Sequence, residues 1–216
     1  MPTDTWGSTT TQAARYSGAS VLALTMGDDS GLAGTPRVAD LDLYRLPGFD
    51  LSRVRGLLLG AHLDQIFLRR HQGLLDEFIS RGGRLAICGQ VVLPFAAGLT
   101  PFVPLAYRNV DDLTVRRVGE HPVWHGVDPH DLTFRRGVAG FYGRGYYPAL
   151  PPDALVVHGL GPNAYPLDAI YPHGAGEVLL HGGNDIWGYA GDTTSAARMT
   201  PQLLDWIMAE HGGAKR

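Results

Sequence analysis

Four short apolar runs, each followed directly by a cluster of polar residues, constrain the fold more than any other feature of this sequence. They cover residues 20–26, 56–60, 84–87 and 176–180. Their length and flanking residues are typical of buried β-strands, and the alternating leucines of residues 37–46 predict another strand. In open α/β sheets, ligands bind beyond the carboxyl ends of parallel strands. We therefore expect the polar clusters to meet at one edge of a sheet.

The strongest helical pattern runs from Ile66 to Arg81. Its apolar residues lie largely on one face, Asp64 is placed to cap its start, and Gly82-Gly83 is placed to end it. This helix lies between two predicted strands with short connections, which predicts a right-handed crossover and a parallel strand pair. A second helix is predicted for residues 200–211. The fold class indicated is α/β with a mostly parallel sheet.

Composition limits the classes of function. The chain has 216 residues, a formal net charge of −3, 44% hydrophobic and 18% charged residues. This indicates a flexible N-terminal segment, residues 1–18, followed by one domain, residues 19–216. The basic residues are too scattered for a nucleic-acid surface. A single cysteine, with no predicted signal peptide or membrane helix, favours a cytoplasmic protein.

The clusters that follow the four apolar runs hold the residues best suited to chemistry. The first contains Asp28 and Asp29, which also suit a turn. The other three contain imidazole, carboxylate, amide and thiol groups: His62, Asp64 and Gln65; Cys88 and Gln90; and His181, Asn184 and Asp185. Because ligands bind beyond the carboxyl ends of the strands in such sheets, these clusters predict a single pocket.

Two groups of segments resemble one known superfamily. Residues 54–60, the helix and residues 82–89 resemble class I glutamine amidotransferase-like proteins, and 85–88 with 96–99 is similar to the nucleophile elbow of their DJ-1/PfpI branch. Residues 121–127 and 174–181 resemble the ThuA-like (trehalose-utilisation-type) branch. The resemblance spans roughly residues 19 to 211. It implies a flavodoxin-like three-layer sandwich, and homodimers are normal in this superfamily.

The resemblance also implies roles for individual residues. Cys88 occupies the position of the nucleophile and His181 that of the catalytic histidine. The acid of these enzymes would fall at Gly183, so Asp185 is the candidate substitute. Gln90 replaces the glycine of the usual elbow, and ThuA-like proteins generally lack the cysteine. The ten residues between the first two strands are too few for the helix expected there.

Three hypotheses for function follow. In the first, Cys88 is the nucleophile of a hydrolase or amidase, His181 is its base, and Asp185 or Asn184 orients the imidazole. In this hypothesis Gly60-Ala61 supplies an oxyanion donor. The alternative for Cys88 is a buried structural thiol.

The second hypothesis, which we favour, is a pocket that binds a small polar molecule. The ThuA-like resemblance implies a carbohydrate-like ligand. Hydrolysis of that ligand is an open alternative within this hypothesis. Residues 140–145 would cover it, and Arg144 would meet an anionic group. The predicted binding residues are Gly60, Ala61, His62, Asp64, Gln65, Gly89, Gln90, Arg144, Asn184 and Trp187.

The third hypothesis is a divalent-metal site formed by His62, Asp64, His181 and Asp185. Because the sequence contains no recognised ligand spacing, we predict neither a metal nor a cofactor. A purely structural or partner-binding role has little support, since no heptad repeat or polybasic tail is present.

Overall fold

A computed structural model of the protein describes residue 16 and residues 18–210, so the predicted flexible segment lies almost wholly outside the described residues. The described strands are β1 (Val21–Thr25), β2 (Val38–Asp42), β3 (Gly56–Leu59), β4 (Arg84–Cys88), β5 (Val103–Pro104), β6 (Val115–Arg117), β7 (Phe134–Arg135), β8 (Val138–Ala139), β9 (Gly145–Tyr146), β10 (Leu155–Leu160), β11 (Tyr165–His173) and β12 (Gly176–His181). The α-helices are α1 (Gln65–Arg70), α2 (Gln72–Ser80), α3 (Pro129–Thr133) and α4 (Met199–Met208). None of these helices has the length and apolar character needed to cross a membrane.

An eight-stranded sheet forms the centre of the fold, in the order β2-β1-β3-β4-β12-β11-β10-β6. The neighbours from β2 to β12 pair in parallel, and those from β12 to β6 pair antiparallel. β3 and β4 are buried along their whole length, as expected for strands covered on both faces. The predicted α/β class and mostly parallel sheet are confirmed. This sheet, together with its few helices, is compatible with a flavodoxin-like sandwich.

The antiparallel half of the sheet was not foreseen. Residues 105–161 have the sequence pattern of shorter strands and long loops, whereas β10 is a full strand there, and it pairs with β11, the longest of the described strands. Pro166 and Pro172 interrupt the apolar pattern of β11, and its fourth residue is the buried Asp168. Because strand patterns are recognised by apolar periodicity, these residues concealed the strand.

The helix predicted from Ile66 to Arg81 is two helices that meet at His71, which leaves the helical conformation at φ −111° and ψ 20°. The Asp64 cap is confirmed, since its carboxylate accepts the N–H groups of Ile66 and Phe67. Ile66, the first apolar residue of the predicted helix, does not pack into the core, since it is 56% exposed. The alternating leucines after Asp42 also form a 3₁₀ helix, Leu43–Gly48, where the sequence predicted a continuing strand.

Arg84 joins the sheet to the last helix at the amino end of β4. Its side chain is 5% exposed, its Nε donates to Glu177 Oε2 at 2.9 Å, and its Nη1 donates to the carbonyl of Ala209 at 2.7 Å. The same Nη1 also donates to the carbonyl of Trp206, and the guanidinium lies 5.2 Å from the Trp206 ring centroid. One buried cation therefore donates hydrogen bonds both to carbonyl groups at the end of α4 and to the carboxylate near the start of β12.

Replacing Arg84 with Met should destabilise the fold, because it leaves Glu177 and two carbonyls without their donor. We expect the free energy of unfolding in urea to fall by about 3 kcal/mol. Arg81→Met is the matched control. Arg81 forms an exposed pair with Glu77 at 3.8 Å, so its loss should cost no more than about 0.5 kcal/mol. Equal effects of the two substitutions would contradict this role of Arg84.

Candidate functional site

A cavity of about 540 Å³ opens beyond the carboxyl ends of β3, β4 and β12. Its lining residues come from three of the four polar clusters and from the loop after β8: Ala61, His62, Gly89, Gln90, Val92, Gly140, Phe141, Gly143, Arg144, Gly182, Gly183 and Asn184. The structure thus brings together most of the predicted pocket. The first cluster is separate, since Asp28 and Asp29 line another cavity with Asp40 and Asp42.

Glycine backbone forms much of the cavity wall. A Cβ at Gly89, which has φ +102°, would lie 2.6 Å from the Cα of Ala61. A Cβ at Gly183 would lie 1.7 Å from the carbonyl oxygen of Tyr142. Side chains at these positions would force the loops apart, so glycine allows the backbone to close around the cavity.

The side chains facing the cavity favour an anion. Arg144 and His62 are its basic residues, and no aspartate or glutamate is among the lining residues. The Nε of Arg144 donates to the carbonyl of Gly140 at 3.0 Å, which fixes the base of the guanidinium at the cavity wall. The amides of Gln90 and Asn184 add neutral hydrogen-bonding groups.

His181 lies directly beneath the cavity floor, at the end of β12. The residue is fully buried, and its Nδ1 lies 2.5 Å from Oδ1 of Asp168 on the neighbouring strand. A carboxylate only accepts hydrogen bonds, so it assigns the proton to Nδ1. In the part of the chain that the structure describes, Nε2 has no hydrogen-bond partner.

Asp168 is the centre of a buried polar network. Its Oδ2 accepts from His158 Nδ1 at 2.8 Å and from the Tyr142 hydroxyl at 2.7 Å. That hydroxyl accepts in turn from Trp124 Nε1 at 2.8 Å. Burial acts to raise the pKa of Asp168, but the charge of His181 and the hydrogen bonds from both histidines outweigh it and lower the pKa to about 2. The carboxyl group is therefore ionised throughout the neutral range.

Cys88 is also buried, at the end of β4 and in register with His181 on the adjacent strand. Burial, and then the nearby Asp185 carboxylate, raise the pKa of the Cys88 thiol well above its usual value, although a backbone contact with Ile186 opposes this. Neither Cys88 nor His181 is among the residues that line the cavity. The thiol in this arrangement is protonated and covered.

Asp185 does not have the position that the sequence predicted for it. Asp168, and not Asp185 or Asn184, is bonded to the His181 ring. Oδ1 of Asp185 instead accepts the backbone N–H of Ala61 at 2.7 Å, so the predicted oxyanion donor is already engaged. Burial raises the pKa of Asp185, against the opposing effects of the Ala61 N–H and the nearby histidines. A Cβ at Gly60 would lie 2.9 Å from Oδ2 of this carboxyl, which explains the glycine.

Four predicted binding residues lie outside the cavity lining: Gly60, which packs against Asp185, and Asp64, Gln65 and Trp187. Asp64 caps α1, and Trp187 is in the core at 4% exposure. The side chain of Gln65 bonds to the carbonyl of Gln90 and to the N–H groups of Val92 and Leu93, which holds the loop after β4. These four residues support the site without facing a ligand.

Sequence reasoning missed Asp168, His158 and Trp124, and it placed Tyr142 only in the covering loop of residues 140–145. One signal was available, because Asp168 interrupts the apolar stretch Leu167–Tyr171, and a carboxylate in a buried strand requires partners.

The metal hypothesis gains no ligand set. Among the described residues, no three histidine, cysteine, aspartate or glutamate side chains are grouped so as to hold a metal ion.

The low pKa of Asp168 makes a prediction about acid stability. A carboxyl whose folded-state pKa is about 2, against an ordinary 3.8, stabilises the fold above pH 4 and loses that contribution as the pH falls towards 2. Asp168→Asn should lower the free energy of unfolding at pH 7 by about 2 kcal/mol and flatten its acid dependence. Urea unfolding between pH 7 and 3 measures both effects. Asp205→Asn, an exposed carboxylate on α4, is the control, and equal behaviour of the two variants would contradict the role of Asp168.

Comparison with known proteins shows likeness in structure only. No family model matches the sequence, and no curated protein matches it. The cytoplasmic protein STM3548 from Salmonella typhimurium matches with a TM-score of 0.57 and 14% identity, over 87% of this chain and 98% of its own. The cytoplasmic protein STM1381 from Salmonella typhimurium LT2 matches with a TM-score of 0.50 and 11% identity, over 87% and 96%. At these identities the likeness shows that the chain shares the fold of these two proteins.

Proposed function

We propose that this protein binds a small hydroxylated anion, such as a sugar acid, without forming a covalent bond to it. The observation that carries the proposal is the charge of the cavity lining, which includes Arg144 and His62 and no carboxylate. A carboxylate or phosphate placed there meets a guanidinium, for which it is the natural partner. The volume of about 540 Å³ lies in the range of small-ligand sites.

The other groups at the cavity suit the hydroxyl groups of such a ligand. The side-chain amides of Gln90 and Asn184 both donate and accept hydrogen bonds, and Asn184 is held in place by its own bond to the carbonyl of Phe141 at 3.1 Å. The exposed ring of Phe141 gives an apolar surface at the same mouth. This combination favours a polar, carbohydrate-like anion over a hydrophobic one.

Membership of the class I glutamine amidotransferase-like superfamily, in its ThuA-like branch, is part of the proposal. Its support is the parallel order β1-β3-β4-β12 and the placement of Cys88 and His181 in register at the ends of neighbouring strands. A cytoplasmic location is proposed with it, and the names of the two Salmonella proteins agree.

The first test compares two ligands that differ in one group. Gluconate carries a carboxylate where sorbitol carries an alcohol, so gluconate should bind more tightly in isothermal titration calorimetry. Arg144→Gln should weaken gluconate binding roughly tenfold or more, because it removes a charged, paired hydrogen bond. Arg53→Gln, an exposed arginine outside the cavity, should leave binding unchanged. Equal affinity for gluconate and sorbitol, or no effect of Arg144→Gln, would refute the anion site.

A cysteine hydrolase is the second candidate, and one observation favours it. The 2.5 Å contact between Asp168 and His181 orients the imidazole as the base of a catalytic triad is oriented, and its Nε2 has no hydrogen-bond partner among the described residues. For this chemistry the floor formed by Gly182 and Gly183 would have to open, because both Cys88 and His181 lie below it.

Alkylation of Cys88 separates the two candidates. The chain has one cysteine, so the mass gained with iodoacetamide reports on that thiol alone. Because its pKa is raised and it is covered, we expect very slow alkylation of the native protein below pH 8.5 and rapid alkylation of the urea-unfolded protein. Rapid native alkylation that titrates well below pH 8.5 and is lost in His181→Gln would instead favour the hydrolase.

A further inference from the structure

A cavity of about 640 Å³ lies at the opposite end of β4 from the proposed anion site, and we call it the second cavity. The carbonyl of Trp206, in its wall, accepts a hydrogen bond from Arg84, the first residue of β4, whereas Gly89, in the wall of the anion site, follows the last residue of that strand. The side chains that decide its chemistry come from the segment after β6 and from α4: Glu120, His121, His125, Gln202, Asp205 and Trp206.

The charged side chains of the second cavity are acidic. Glu120 and Asp205 are its carboxylates, and no lysine or arginine is among its lining residues in the part of the chain that the structure describes. Glu120 is partly balanced, since its Oε2 lies 3.4 Å from Nη1 of Arg117. Asp205, on the exposed side of α4, forms no ion pair with any described residue. An excess of carboxylates in a concave surface favours a cation.

His121 adds no positive charge to the second cavity at neutral pH. Its ring packs edge-on against Trp124 and Trp206, with centroids 5.9 and 5.7 Å away. Burial, helped by the charge of Arg84 and opposed by that of Glu177, lowers the pKa of His121 to about 4. The imidazole is therefore uncharged in the neutral range, and it does not offset the two carboxylates.

Gln202 provides a buried acceptor beside these carboxylates. Its Nε2 donates to the carbonyl of His125 at 2.8 Å, which fixes the orientation of the amide. Its Oε1 is buried and has no hydrogen-bond partner among the described residues. A buried acceptor is destabilising without a donor, so a ligand rich in N–H groups is favoured next to it. An ammonium group has three such donors and no acceptor.

The remaining wall of the second cavity is apolar. Trp206, Pro122 and Ala209 line it, and the Trp206 ring is held by Arg84, whose guanidinium lies 5.2 Å from the ring centroid and is itself paired with Glu177 at 2.9 Å. A hydrated inorganic cation gains nothing from such a surface, whereas a cation that carries an apolar group buries part of it. The volume lies in the range of small-ligand sites.

We propose that the second cavity binds an organic amine in its protonated form. The ammonium group lies at Asp205, Glu120 and the Gln202 amide, and the apolar part lies against Trp206 and Pro122. The site is independent of the proposed function, because it shares no lining residue with the anion site. Its charge is opposite in sign, so an anion that suits the first cavity is repelled from the second.

Two ligands that differ in one group test the charge requirement. At pH 7, phenethylamine carries an ammonium group where 2-phenylethanol carries a hydroxyl group. We expect phenethylamine to bind the full chain roughly fivefold or more tightly than the alcohol in isothermal titration calorimetry, because only the amine pairs with the carboxylates. Equal affinities, or no binding of phenethylamine, would overturn the proposal.

A double variant tests the carboxylates. Glu120→Gln with Asp205→Asn should weaken phenethylamine binding roughly fivefold or more. Glu77→Gln with Asp153→Asn is the matched control, since it removes the same charge from two exposed carboxylates outside the second cavity, and it should leave binding unchanged. Circular dichroism verifies that both double variants are folded. Equal weakening by the two would assign the effect to overall charge and overturn the site.

Chemical shifts of the isotope-labelled protein locate the bound amine. We expect phenethylamine to move the indole N–H signal of Trp206 and the ring signals of His121, and to leave the amides of Gly182 and Gly183 unmoved, because these glycines line the other cavity. Changes at Gly182 and Gly183 in place of His121 and Trp206 would put the amine in the anion site and overturn the proposal.

Discussion

The buried carboxylate of Asp168 is the interaction on which the rest of the site depends. It accepts hydrogen bonds from two imidazoles and one phenol, and these come from three different parts of the chain. A buried charge is tolerated only when it is paired and fully hydrogen-bonded, so His158, His181 and Tyr142 are as necessary to Asp168 as it is to them. The network joins the antiparallel half of the sheet to the strand end beneath the cavity, and it fixes the His181 ring.

The cavity above this network is made by backbone more than by side chains. Because Gly89 and Gly183 have no Cβ, the loops after β4 and β12 approach Ala61 and Tyr142 closely enough to cover Cys88 and His181. What remains exposed is a guanidinium, an imidazole and amides. The same closure buries the Cys88 thiol and raises its pKa, so the proposed anion site and the protonated thiol have one structural cause.

The sequence was sufficient for the strands of the parallel half of the sheet and for the polar clusters at their ends, because apolar runs and the polar residues after them are local patterns. It predicted that Cys88 and His181 each follow a strand and share one pocket. The structure places them at the ends of the adjacent strands β4 and β12, but neither residue lines the cavity. The partner of His181 could not be assigned in this way, since Asp168 belongs to a strand concealed by its prolines and its own charge. Asp185 is only four residues from His181 in the sequence, but strand pairing, and not sequence distance, decides which acid meets an imidazole.

Nuclear magnetic resonance of the isotope-labelled protein, titrated with gluconate, would locate the bound anion residue by residue. We expect chemical-shift changes at the amides of Gly89, Gly143, Gly182 and Gly183 and at the His62 ring, because these surround the cavity at the carboxyl ends of the strands. His121 and Trp206 line a separate cavity beside α4. Changes confined to these two residues would place gluconate at that other cavity and contradict the proposed site. A spectrum that gluconate leaves unchanged would contradict it equally.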